Sequence, residues 1–145
     1  MVKDIFSQIA EYNIRQASPT PFKTVLLVVD MQKYFGEIAE PILENVTSLI
    51  RGCREKGIKV FFTRHGHKSK IDGSMLSKWW GDLIKYGSEE WELIDGIEVS
   101  PEDIIDKNRY SAFHRTDLDL RLQGAGIKDI IISGVLTNCC VETTA

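Results

Sequence analysis

The chain has 145 residues, 43% of them hydrophobic and 27% charged, which suits one globular domain over residues 1–145 and excludes a disordered or collagen-like chain. Its 18 lysines and arginines against 21 aspartates and glutamates give a net charge of -3 with no basic run, so nucleic acid is not an expected partner. Val25 to Val29 is far short of the ~20 apolar residues of a membrane helix, the start lacks signal-peptide order, and Cys53, Cys139 and Cys140 are too few for a disulfide scaffold, so a cytoplasmic protein without a membrane partner is expected.

In chain order, Asp4 to Gln16 reads as a short helix with Ile5, Ile9 and Tyr12 on one face, broken by Ser18-Pro19-Thr20-Pro21. Lys23 to Asp30 is a continuous aliphatic run ending in a carboxylate, the pattern of a strand covered on both faces. Glu37 to Lys56 carries Ile38, Ile42, Val46, Leu49 and Ile50 as a helical stripe, closed by Gly57 where a left-handed cap residue belongs. Ile58 to Thr63 is a second buried strand. The stretch from Arg64 to Val99 is the least periodic; it holds Trp79, Trp80 and Trp91, the pair His65 and His67, and one expected helix over Met75 to Ile84.

Ile104 and Ile105 lead to Lys107 as a third strand, and Thr116 is placed to cap a helix running to Gln123. Asp117 and Asp119 in its first turn suit the positive end of the helix dipole. Lys128 to Ser133 is a fourth strand, and a helix is expected from Asn138 onward. This alternation predicts an α/β fold, a three-layer α-β-α sandwich with a mostly parallel sheet. The last helix is cut at Ala145, so a sheet truncated on its C-terminal side is part of the expectation.

Ligands of open α/β sheets bind beyond the carboxyl ends of the strands. Asp30, Lys107 and the Cys139-Cys140 pair fall at those ends, so a carboxylate, an ammonium and a thiol are expected to meet in one crevice. A thiol is nucleophilic as the thiolate, and a helix N-terminus with a nearby cation lowers its pKa from about 8.5 toward 3.5–7.5. Each residue alone has a plainer reading: a turn-forming aspartate, a solvated lysine, a cysteine that fills space. Cys53, on the helix before Gly57, has only that last reading.

Three blocks resemble the isochorismatase-like cysteine hydrolases: Val28-Val29-Asp30-Met31-Gln32 with Phe35, Lys107-Asn108-Arg109-Tyr110-Ser111-Ala112-Phe113, and Gly134-Val135-Leu136-Thr137-Asn138-Cys139-Cys140 with the residues after it. The resemblance implies a triad of Asp30, Lys107 and Cys140, with Cys139 as packing. It also implies a cis peptide between Val135 and Leu136, and an oxyanion hole from the backbone N–H groups of Leu136 and Cys140. The implied reaction is hydrolysis of a C–N bond in a small amide through a thioester, with Asp30 moving the proton.

Relatives of the nicotinamidase kind bind a metal through an Asp-x-His, whereas here His65-Gly66-His67 puts a histidine in the aspartate's place. No metal or other cofactor is therefore expected, although His65 and His67 have the spacing to ligate zinc or nickel. Isochorismatases proper share a block like Lys107 to Arg115 and cleave a vinyl ether without a cysteine, which ranks ether hydrolysis second. A non-catalytic α/β module or incomplete enzyme is the third reading. Phe35, Trp80 and Tyr110 are expected to line a flat pocket, with Arg109 meeting a substrate carboxylate. A small-molecule substrate is the expected ligand, and a homodimer or homotetramer the expected assembly.

Overall fold

A computed structural model describes residues 18–145, so the helix expected over Asp4 to Gln16 lies outside the described residues. Four strands, β1 (Thr24–Val29), β2 (Lys59–His65), β3 (Ile104–Lys107) and β4 (Asp129–Gly134), form one sheet in the order β3-β2-β1-β4. Every pairing is parallel. All six residues of the central strand β1 are buried, as its unbroken aliphatic run requires.

Alternation along β1 divides the core into two layers. Leu26 and Val28 pack with Ala39, Val46, Ile50 and Cys53 of the long helix α1 (Gly36–Glu55). Val25, Leu27 and Val29 face the other way, onto Leu118 and Leu122 of α4 (Leu118–Gly124) and onto Cys140. Helices thus cover both faces, giving the three-layer α/β sandwich. At the end of α1, Ile58 N–H donates to the Cys53 carbonyl at 2.9 Å and Gly57 takes φ +73°, the closing arrangement for which glycine has no steric penalty.

Three local readings change. The helix expected over Met75 to Ile84 is two short ones, α2 (Lys70–Gly73) and α3 (Met75–Trp80), and Gly81 ends the second in a left-handed conformation. Ile84 pairs instead with His67, whose N–H donates to the Ile84 carbonyl at 2.8 Å. Asp117 rather than Thr116 is the cap residue of α4; the Thr116 hydroxyl accepts from Leu118 N–H at 3.3 Å and donates to the Ala112 carbonyl at 2.5 Å. After β4 the chain makes one π-helical turn, Thr137–Val141, in which Val141 N–H donates to the Leu136 carbonyl at 3.1 Å, before α5 (Glu142–Thr144).

Candidate active site

Asp30 follows β1 directly and takes φ +48°, a left-handed backbone that aspartate tolerates better than bulkier residues. Its surroundings determine that conformation. Asp30 N–H donates to Thr63 Oγ1 at 3.1 Å, and the same hydroxyl donates to Asp30 Oδ1 at 2.5 Å. Lys107 Nζ donates to Oδ2 at 2.7 Å, a pair between two fully enclosed side chains. A charge so placed would be costly without its partner. The register explains the meeting, because Lys107 at the end of β3 lies level with His65 at the end of β2, one strand from Asp30.

The thiol arrives from the far side of β1. Gly134 ends β4 at φ +119°, and a Cβ there would lie 2.1 Å from the Val29 carbonyl oxygen, so only glycine lets the two strands close up. The next peptide bond, Val135–Leu136, is cis, and the π-helical turn follows. Thr144 ties that turn to the block after β3: its hydroxyl donates to the Cys140 carbonyl at 2.6 Å and accepts from Ala112 N–H at 3.1 Å. The Cys140 sulfur consequently lies within 4.8 Å of an Asp30 oxygen and a His65 ring nitrogen. Its thiol pKa is not lowered as the sequence had led us to expect. Burial, reinforced by the Asp30 charge, pushes it up to about 12, with Lys107 opposing.

His65 and His67 are both buried, and their Nε2 atoms are 2.8 Å apart. Lys107 Nζ stands 3.5 Å from His65 Nδ1, and an ammonium can only donate. The network therefore assigns the proton of His65 to Nε2, from which it is donated to His67 Nε2, leaving His67 protonated on Nδ1. That Nδ1 has no hydrogen-bond partner within reach, and Asp72 Oδ2 stands 3.7 Å away. Burial first, and Lys107 next, lower the His65 pKa to about 4, and burial lowers that of His67. Both rings are thus neutral near pH 7. Gln32, also buried, clamps the end of β2 by accepting from His65 N–H at 2.8 Å and donating to the His65 and Trp91 carbonyls at 3.0 and 2.8 Å.

His65 and His67 line a cavity of about 350 Å³ walled by Tyr34, Phe35, Leu76, Trp80, Ile84 and Tyr110, whereas Asp30 and Lys107 are not among its lining residues. Trp80 Nε1 donates to the Tyr110 hydroxyl at 2.7 Å and so joins two walls. Leu136, Cys139 and Cys140 also line it. Arg109 does not. Its Nη1 donates to the Asp72 and Asn108 carbonyls at 2.8 and 2.6 Å, which turns the guanidinium into a neighbouring hollow beside Met75, Trp79 and His114. The structure thus sets Arg109 beside this cavity rather than in its lining. Thr63, Gln32 and Thr144 were not singled out from sequence; their position at or just past strand ends and turns was the available signal.

With this geometry in hand, the comparisons with known proteins are specific. The chain is 43% identical to nicotinamidase 3 of Arabidopsis thaliana over 143 residues, covering 96% of this chain and 72% of that one. A cysteine hydrolase from Pseudomonas syringae pv. phaseolicola superposes with a TM-score of 0.81 at 29% identity, over 89% of this chain and 67% of the other. A pyrazinamidase of Pyrococcus horikoshii, solved in complex with zinc, superposes with a TM-score of 0.70 at 30% identity, over 85% of this chain and 76% of the other. The chain therefore spans between 67% and 76% of the length of these proteins. A family model described as the isochorismatase domain matches residues 24–145, which hold all four strands and every residue of the site, and the chain belongs to the isochorismatase family.

Proposed function

We propose that the protein is a cysteine hydrolase that cleaves the C–N bond of a small, flat aromatic amide through a thioester on Cys140. The observation that carries this reading is a buried thiol within 4.8 Å of a carboxylate that a buried ammonium holds, at the floor of a cavity with aromatic walls. The 43% identity to a nicotinamidase supports the aromatic amide as substrate class, and a volume of about 350 Å³ suits one ring and its carboxamide. A vinyl-ether hydrolase has no use for the thiol at this place.

Because burial and the Asp30 charge raise the thiol pKa, the thiol is protonated at rest and attack and proton transfer go together. Asp30 takes the Sγ proton as sulfur bonds to the amide carbon, and the carbonyl π electrons move onto oxygen. The backbone N–H groups of Leu136 and Cys140 are the donors we assign to that oxyanion, each such donor being worth about 2.7–4 kcal/mol. The C–N bond then breaks, nitrogen takes the proton from Asp30, and ammonia leaves an acyl-thioester. Water gives a proton to Asp30 as it attacks the thioester, and Asp30 returns that proton to sulfur as the acid departs. Lys107 keeps the carboxylate aimed at sulfur throughout.

The pyrazinamidase of Pyrococcus horikoshii was solved with zinc, and His65 and His67 have the sequence spacing of a ligand pair. Their Nε2 atoms are 2.8 Å apart, closer than the roughly 3.3 Å spanned by two ~2.0–2.1 Å zinc–nitrogen bonds at a tetrahedral angle. The Asp72 carboxylate lies against the opposite edge of His67. The pair as arranged is a hydrogen bond and does not fit a resident zinc, and no step above passes through one.

Ammonia release from nicotinamide and a ureido compound, set beside pyruvate release from isochorismate, separates the readings. The wild type is expected to release ammonia from the aromatic amide, and Cys140→Ala to lose at least about a thousandfold in kcat, as nucleophile variants do. Isochorismate turnover that survives Cys140→Ala would overturn the proposal.

A further inference from the structure

Among the described residues that line the cavity, Asp82 carries the one charged side chain; the others are apolar or aromatic, thiols, or the two neutral imidazoles. The nearby cations are engaged elsewhere. Lys107 is spent on Asp30 and on the Arg109 carbonyl at 3.1 Å, and Arg109 faces the neighbouring hollow. Asp82 accepts from Leu83 N–H at 2.8 Å and enters no ion pair among the described residues. We propose that Asp82 is a specificity-determining residue, whose carboxylate at the solvent edge of the cavity admits uncharged aromatic amides and repels ligands bearing a carboxylate. The inference rests on the amide-hydrolase reading and narrows its substrate class.

The local fold holds Asp82 in place. Gly81 ends α3 in a left-handed conformation just after the wall residue Trp80. Two residues beyond Asp82, the Ile84 carbonyl accepts from His67 N–H at 2.8 Å, and Tyr86 N–H donates to the His67 carbonyl at 2.9 Å. The carboxylate is thus pinned between a cavity wall and the end of the second strand's extension. Its field reaches another lining residue: the Tyr34 phenol holds its proton above the ordinary range, through burial first and then through the charges of Asp82 and Glu90. A field that resists a phenolate resists a carboxylate entering the same space. The reaction proposed above turns a neutral amide and water into a carboxylate and ammonium, so ligand charge changes while ligand shape hardly does. One fixed negative charge therefore tolerates the substrate and drives out the acid product.

Calorimetric titration of Cys140→Ala with nicotinamide and with nicotinate gives the ratio of their dissociation constants without turnover. Nicotinamide is expected to bind more tightly. Adding Asp82→Asn should shrink the ratio about threefold, the size of a solvent-facing charge interaction, whereas Asp82→Glu should keep it. Glu44→Gln, which removes an exposed carboxylate of α1 outside the cavity lining, should leave it unchanged. High salt should weaken the discrimination. A second measurement keeps Cys140 intact: the ratio of its alkylation rates with iodoacetamide and iodoacetate, read on its peptide by mass spectrometry, should also fall about threefold in Asp82→Asn. Nicotinate bound as tightly as nicotinamide, or either ratio unmoved by Asp82→Asn, would overturn the proposal. Neither measurement involves cleavage of an amide, so a failure of the hydrolase reading shows separately, as missing ammonia release by the wild type.

Discussion

At the scale of single residues, the site is organised by burial more than by exposed charge. Asp30 sits in a left-handed backbone of the kind that costs of order 1–3 kcal/mol and persists only where neighbours over-determine it. Thr63 and Lys107 supply that determination from two other strands. His65 carries a measurable signature. Its pKa falls from 6.5 unfolded to about 4 folded, so below pH 6.5 the unfolded chain binds a proton that the native one refuses. Stability is then full above pH 6.5 and declines as the pH falls toward 4, by up to about 3 kcal/mol at 1.36 kcal/mol per unit. Urea midpoints between pH 7 and pH 4 should show that decline, and His65→Asn should flatten much of it; an unchanged slope in the variant would refute the assignment.

At the scale of elements, strand registry does the positioning. The central strand β1 was legible as an unbroken aliphatic run because a strand buried on both faces permits little else, and Asp30 and Lys107 were legible because they close β1 and β3. The short helices after β2 were not: Gly73 and Ser74 interrupt what reads as one apolar stripe, and Ser74 takes φ +49°. Nor does apolar spacing encode the shifted hydrogen bonds of the turn that carries Cys140. The fate of Arg109 was hidden for a related reason, since its partner, the Asp72 carbonyl, lies 37 residues away in the chain. At Gly134 the fit between elements is tightest. Gly134→Ala should push β4 off β1 and destabilise the protein by several kcal/mol, because the added carbon meets fixed backbone at 2.1 Å. Thermal melting checks this, and a change below about 1 kcal/mol would mean that the strands can part without penalty.

At the scale of the whole molecule, polar chemistry gathers at one end of the sheet while apolar surface collects beside it. Ile71, Trp79 and Met75 on α2 and α3 are 91%, 66% and 49% exposed, more than a lone soluble surface ordinarily concentrates on two short helices. A second copy of the chain is the partner we propose for that face. Sedimentation should show a dimer or tetramer that Trp79→Glu shifts toward monomer; a wild type that is monomeric at all concentrations would refute it. None of the helices among the described residues is long and apolar enough to cross a membrane. The three tryptophans part company here: Trp91 is buried under the Arg64 guanidinium, whose centre stands 3.5 Å from its ring, Trp80 walls the cavity while remaining partly exposed, and Trp79 is the most exposed.

The bond from Trp80 to the Tyr110 hydroxyl gives the molecule its own optical reporter. An indole that forms one wall of the cavity shifts its emission when a flat aromatic guest stacks beside it, whereas Trp91, sealed beneath arginine, contributes a constant background. Occupancy can thus be followed by intrinsic fluorescence, without label and before any chemistry, with Trp80→Phe as the silent control.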